Sequence, residues 1–351
     1  MKLVLDNIIF SLQKAGGASV YWTKLMEAFS RREGIDLRFV ERNDAMNNLF
    51  RQKVDMPSQA SSDKDAFLRF DQFSSPSVDD DAIFHSSCYR VARGVEVVNV
   101  TTVYDFIGEY YFSGPLKWIH DGQIRSAVRR SDALICISES TRLDLLKFVP
   151  EASKVPIEII HLSYDDAGYT YKPTPRKNQV VFIGSRVGYK NFELALRSVA
   201  ACKGVSLLII GAPLSKDEER LASTLLPGRF EVQSYPSTDK VCSLFRESMA
   251  LLYLSEYEGF GLPVLEAMAS GVPVIALNRS SIPEVAGEAG ILLDGARYEL
   301  VASSIALLMN DRDMFDEQVA MGLERVKRFS WSRCADETYA FYEHLRASAK
   351  R

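Results

Sequence analysis

The sequence predicts an α/β protein built on mainly parallel sheets covered by helices on both faces, divided between two domains. Three observations carry that expectation. Short apolar runs alternate with segments of helical periodicity through both halves of the chain, the pattern of repeated βα units. A polar run at 165–178, with Pro173 and Pro175, interrupts the alternation and reads as a linker. The length, 351 residues with 47% hydrophobic content, suffices for two packed cores.

In the first half, residues 2–10 read as the opening strand, followed by a turn holding Gly16 and Gly17 and a helix over 18–31. Val20, Leu25, Ala28 and Phe29 fall at helical spacing in that helix. Strands are expected at 35–40, 83–86, 97–103, 133–137 and 156–161. Helices are expected at 119–130 and 141–148, the second with Ser138 and Thr141 as caps. The stretch 43–81 is irregular and long for a connection inside a domain, with Phe50, Phe67, Phe70 and Phe73 set among charges. Those aromatic residues either pack on the domain or touch an acceptor or lipid.

The second half restarts the alternation. Strands are expected at 179–184, 205–211, 230–234, 250–254 and 272–276. Helices are expected at 193–201, 238–247, 263–269, 298–309 and 313–329, with a closing helix over 332–347.

Composition narrows the function classes. A net charge of −4 and a pI near 5.8 provide no global field for nucleic acid. Five cysteines without a C-x-x-C pair imply neither a zinc site nor a disulfide framework, which fits a reducing cytoplasm. No signal peptide and no apolar run of membrane-spanning length is read, so the expectation is a soluble protein that at most rests on a membrane surface.

The chemistry concentrates in S-E-Y-E-G-F-G-L-P-V-L-E-A-M-A-S-G-V-P-V-I, residues 255–275. Gly259 and Gly261 permit backbone angles closed to other residues, and Pro263 suits a first helical turn. A strand, a glycine turn and a helix start form an anion site, whereas Glu258 and Glu266 would accept hydrogen bonds from sugar hydroxyls. The residues alone leave two readings open: a nucleotide-sugar site, or a turn serving packing. Val264 occupies the place of the third glycine of a dinucleotide fingerprint, which argues against NAD. Arg186 and Lys190, four positions apart after a strand, suit a diphosphate, and a solvated basic loop is the alternative. Gly16 and Gly17 open a helix in the same anion-binding manner, while His85 and Asp105 lie at or beyond strand ends where ligands gather. No metal cluster is read from the sequence; the D-D-D run falls at 79–81, in the irregular stretch.

The run E-G-F-G-L-P-V-L-E-A-M-A-S-G-V-P-V-I closely resembles the E-x7-E signature of the family 4 retaining glycosyltransferases, and N-R-S-S-I-P-E-V-A-G-E-A-G-I-L-L-D at 278–294 is similar to the segment that follows it. G-S-R-V-G-Y-K-N resembles that family's diphosphate-binding segment, and T-V-Y-D-F-I-G-E at 102–109 its acceptor-side segment, with Tyr104 where His is commonest. The resemblance implies a GT-B fold, two Rossmann-like domains facing across a cleft: an acceptor-side domain at 1–168 with the terminal helix 332–351 packed on it, and a donor domain at 176–331. It implies a metal-independent, retaining transfer of a sugar from a nucleoside diphosphate donor, GDP- or UDP-linked, to a saccharide or lipid-linked acceptor in cell-surface polysaccharide synthesis.

By the same resemblance Glu266 would take the ribose hydroxyls and Glu258 a hydroxyl of the transferred sugar. The amides of Phe260, Gly261 and Leu262 would reach sugar and phosphate oxygens, and Arg186 and Lys190 the diphosphate. Gly16, Gly17 and Asp105 would serve near the donor phosphates and the acceptor, and Glu284 is assigned to structure or the cleft wall. No cofactor beyond the donor substrate is expected. Two other readings stand beside this one: a non-catalytic nucleotide-sugar binder and a sugar-nucleotide epimerase.

Overall fold

Every strand pairing in the two main sheets of the computed structural model is parallel; the structure describes residues 1–55, 75–78, 81–94 and 96–349. The chain forms two units, Met1–Ser163 joined by Trp331–Arg351, and Tyr164–Ser330.

The first unit carries β1 (Lys2–Asp6), β2 (Asp36–Val40), β3 (Ala82–Ser86), β4 (Val98–Val103), β5 (Ala133–Cys136) and β6 (Ile157–Ile159), in the order β2-β1-β3-β4-β5-β6. β3 and β5 are buried along their whole length, as parallel strands covered on both faces must be. The opening strand ends at Asp6 rather than running to residue 10. Asn7 turns the chain: its side-chain Nδ2 donates to Glu41 Oε2 at 2.9 Å, its Oδ1 accepts from Trp22 Nε1 at 2.7 Å, and a short helix, Ile9–Leu12, follows. A run of apolar residues in sequence hides this turn, because its cause lies in partners far along the chain.

The long helix Trp331–Ala349 packs within the first unit. Tyr342 packs its ring on Phe29, with centroids 5.8 Å apart, and Arg32 bonds Asp336 at 2.6 Å while lying 3.8 Å from the Tyr339 ring centroid. Of the irregular stretch, the turns Ala45–Asn47 and Arg51–Lys53 are described. Phe67, Phe70, Phe73, Asp79 and Asp80 lie outside the described residues.

The second unit carries β7 (Gln179–Ile183), β8 (Ser206–Gly211), β9 (Phe230–Ser234), β10 (Ala250–Tyr253), β11 (Val274–Leu277) and β12 (Gly290–Leu293), in the order β12-β11-β10-β7-β8-β9. Val180, Leu207, Ile209, Leu252 and Ile275 meet helix residues such as Leu196, Val199, Val301 and Ile305 in one apolar core. β12 and the helix Lys216–Leu225 are absent from the sequence expectation. The helix is polar apart from one narrow stripe, and its start is a capping box between Ser215 and Glu218.

The stretch 164–178 differs from the expected linker. Arg176 donates to the Ser248 carbonyl at 2.7 Å and the Gly271 carbonyl at 2.6 Å, and Arg246 bonds Thr170 twice at 2.6 Å. Its polar and proline-rich composition reflects surface position, not detachment.

In both sheets the chain reverses its direction of travel once, between β1 and β3 and between β7 and β10. Ligands of open parallel sheets bind outside the carboxyl ends of strands at such a switch point.

Candidate functional site

At the second switch point two loops are stitched together. The first, after β7, holds residues 184–191; the second, after β10, holds residues 254–261. Glu256 N–H donates to the Tyr189 carbonyl at 2.8 Å, and the Asn191 amide donates to the Leu254 carbonyl at 2.9 Å. Asn191 adopts the left-handed conformation, φ 55° and ψ 44°, which Asn tolerates better than most residues.

This stitching brings Lys190 Nζ onto Glu258 Oε1. Tyr253, at the end of β10, bonds the same carboxylate, and its ring centroid lies 5.5 Å from Lys190 Nζ. Burial, then the Glu258 charge, pushes the Tyr253 hydroxyl well above its ordinary range, so it stays a proton donor. Glu258 is also held through its backbone: its N–H donates to Ser280 Oγ at 2.8 Å. Ser281 Oγ lies 2.9 Å from the Glu258 carbonyl and 2.8 Å from that of Phe260, sharing its proton.

Gly261 opens the helix Leu262–Ala269 at φ 108°, ψ 51°. A Cβ there would stand 2.8 Å from Ile282 Cδ1, so both conformation and space require glycine. Phe260 is buried edge-on against Phe329 at 6.0 Å, and Gly259 and Gly261 are buried beside it. Leu262 is the first residue of the helix, and Val264, Leu265, Ala267 and Met268 pack it into the unit.

Glu266 faces a different wall. Burial pushes its carboxyl up to about 7; a hydrogen bond from Tyr169 works in the opposite direction, and the charge of Asp165 adds to the rise. A half-buried carboxylate poised near neutrality accepts hydrogen bonds strongly when ionised.

Arg186 leaves the β7 loop in another direction from Lys190. Its Nε donates to Glu218 Oε1 at 2.9 Å and its NH2 to the Pro213 carbonyl at 2.8 Å. Its NH1 is a buried donor without a hydrogen-bond partner among the described residues, an arrangement that calls for a ligand or a water. The structure therefore joins Lys190 to Glu258 and anchors Arg186 on the loop after β8.

Gly16, Gly17, His85, Tyr104 and Asp105 belong to the first unit. Gly16 and Gly17 stand at the start of the helix Gly17–Ser30, and a Cβ on Gly16 would meet Gln13 Oε1 at 2.4 Å. Asp105 Oδ1 accepts from Ile107 N–H at 3.0 Å, and the Tyr104 hydroxyl is buried without a hydrogen-bond partner among the described residues. His85 corrects the expectation that it borders a ligand. It is fully buried, with Nδ1 2.5 Å from the Tyr342 hydroxyl and Nε2 2.7 Å from Thr102 Oγ1. Burial pushes its pKa down to about 3, so it is a neutral linchpin between sheet and terminal helix. Sequence reasoning missed Tyr169, Tyr253, Ser280 and Ser281. Only the last two carried a signal, inside the motif at 278–294.

Two parallel sheets of this order, each with covering helices, define the GT-B class of fold. Residues 171–323, within this second unit, match the model of the family described as "Glycosyl transferases group 1". O-antigen chain mannosyltransferase B of Escherichia coli is 39% identical over 102 residues, 29% of this chain and 27% of that protein. Alpha-maltose-1-phosphate synthase of Mycolicibacterium smegmatis is 27% identical over 256 residues, 64% of this chain and 66% of that one. The chain thus spans between 27% and 66% of the length of these curated relatives. Anabaena HepE, solved in complex with UDP and glucose, superposes with a TM-score of 0.74 at 15% identity, over 97% of this chain and 99% of that one. No described helix is long and apolar enough to cross a membrane.

Proposed function

We propose that the protein is a retaining glycosyltransferase that moves a sugar from a nucleoside diphosphate to a hydroxyl of a saccharide or lipid-linked acceptor, in the assembly of cell-surface polysaccharide. The observation that carries this reading is the meeting of Lys190 and Glu258 at the β7/β10 switch point, on loops within the stretch that matches the glycosyl transferase family model. Relatives named as mannosyl transferases, and a fold neighbour holding UDP and glucose, support the substrate class.

Lys190 has three donor hydrogens, so Glu258 leaves others for diphosphate oxygens. The orphaned NH1 of Arg186 adds a further donor. Their positive charge would stabilise the leaving diphosphate as the bond between the anomeric carbon and the phosphate oxygen breaks. The acceptor oxygen bonds that carbon on the same face, and its proton passes to the leaving phosphate oxygen. Glu258 would orient the transferred sugar and Glu266 the ribose, which makes both positioning carboxylates rather than an acid–base pair. Two cations on the donor side suit a transfer without a metal ion. Gly16, Gly17 and Asp105 are the acceptor-side candidates, and peripheral attachment to a membrane face suits a lipid-linked acceptor.

A panel of UDP- and GDP-sugars screened by thermal stabilisation selects the donor. Release of nucleoside diphosphate in the presence of an acceptor, lost in Lys190→Ala, is the expected result. Donor binding without release for any acceptor would favour a non-catalytic binder, and donor conversion without an acceptor would favour an epimerase.

A further inference from the structure

We infer that Tyr169, carried on the stretch 164–178, is a positioning residue for nucleotide binding: its hydroxyl holds the Glu266 carboxylate ionised and aimed at the ribose diol of a nucleoside diphosphate. The inference rests on the reading of Glu266 given above.

The geometry behind it is a pinned phenol. Tyr169 is buried, its ring lies 6.2 Å from that of Phe245, and its N–H bonds the Asp165 carbonyl at 2.8 Å. A Cβ on Gly168 would stand 2.9 Å from Thr238 Cγ2 and 3.1 Å from Asp165 Oδ2, so the backbone just before Tyr169 sits flush against its surroundings. Arg246 fixes Thr170 on the other side, and the Tyr171 ring occupies the space that a Cβ on Gly271 would need. With both flanks fixed, the hydroxyl points at Glu266, and the two side chains hydrogen-bond. Burial pushes the phenol above its ordinary range, so it donates and the carboxylate accepts.

The charged and titratable groups facing Glu266 are Tyr169 and Asp165 from this stretch and Tyr253 from β10; Cys242 faces Tyr169 from the helix Thr238–Arg246. Tyr169 favours the ionised carboxylate, while burial and Asp165 oppose it. An ionised carboxylate accepts from both ribose hydroxyls, and protonation converts one of its oxygens into a donor. Affinity should therefore rise with pH through the Glu266 transition. Removing the phenol hydroxyl moves that rise to higher pH, and removing the Asp165 charge moves it to lower pH.

Calorimetric titration of the full chain with UDP and GDP, each beside its 2′-deoxy form, between pH 6 and 8.5 tests this. Tyr169→Phe keeps the ring packing and should raise Kd about tenfold at pH 6.5, the effect of a one-unit pKa rise on the ionised fraction, with near-complete recovery at pH 8.5. Asp165→Asn should shift the profile the opposite way, which keeps the test decisive if the Phe variant does not fold. Glu266→Gln should flatten the carboxylate limb and remove the preference for ribose over deoxyribose. Profiles of Tyr169→Phe and Asp165→Asn that coincide with wild type, while Glu266→Gln loses affinity, would overturn the role of Tyr169 alone. Unchanged affinity and ribose preference in Glu266→Gln would overturn the ribose reading itself, as would no binding of either nucleotide to wild type.

Discussion

Asp6, at the end of β1, and Arg90, after β3, form a two-bond ion pair in the first unit, at 2.9 and 2.6 Å, with neither side chain exposed. After β7 and β10 of the second unit, Lys190 and Glu258 keep 14% and 11% of their side-chain surface. The same switch-point topology thus carries a sealed pair in one sheet and an accessible pair in the other. Ser86 Oγ adds a bond to Asp6 at 3.1 Å, and a second sealed pair, Glu41 with Arg51, lies close by in the network through Asn7. Groups without access to solvent or ligand have only structural work to do. A pair with residual exposure and spare donors has capacity for a substrate, and topology alone does not distinguish the two cases.

The largest expected effect breaks the sealed pair. Asp6→Ala strands a buried guanidinium and should cost about 3–5 kcal/mol of folding stability, read from urea denaturation of the first unit. Lys190→Ala should lower turnover by about 100- to 1000-fold while the denaturation midpoints stay near wild type. A stability loss in Lys190→Ala equal to that of Asp6→Ala would erase the contrast. Gly261→Ala forces a side chain into a left-handed turn and against Ile282, and should cost about 1–3 kcal/mol together with nucleotide affinity.

The last effect is a slope, small near neutral pH. The native-state pKa of His85 falls from 6.5 to about 3, so between those values the unfolded chain binds a proton that the native chain does not. Stability from this group is complete above pH 6.5 and is lost as the pH falls toward 3, at up to about 1.4 kcal/mol per pH unit. His85→Gln should lower stability near pH 7 and flatten that acid limb; an acid limb as steep as wild type would show that His85 titrates freely.

The sheets were legible in the sequence because buried parallel strands must be continuously apolar, as 133–137 and 250–254 are. β12 was not, since Gly290 opens it and its residues are only partly buried, leaving four residues without a strong pattern. The two loops at the β7/β10 switch point were legible through glycine spacing and the two glutamates. Tyr169 was not, because its stretch has the composition of a linker and its role arises from Arg176 and Arg246 tying that stretch down. The sealed pairs were equally silent: nothing in the spacing of Asp6 and Arg90, 84 positions apart, says that they meet.

The lock between His85 and Tyr342 has a consequence for the order of synthesis. Phe29, Tyr21 and His85 leave the ribosome early, and the helix Trp331–Ala349 that covers them is made only after the whole of Tyr164–Ser330. The second unit has a core of its own and can close while the first still lacks its lid. During that interval Phe29, Tyr21 and His85 lack their cover, and the apolar surface around them is open to misfolding until the helix arrives.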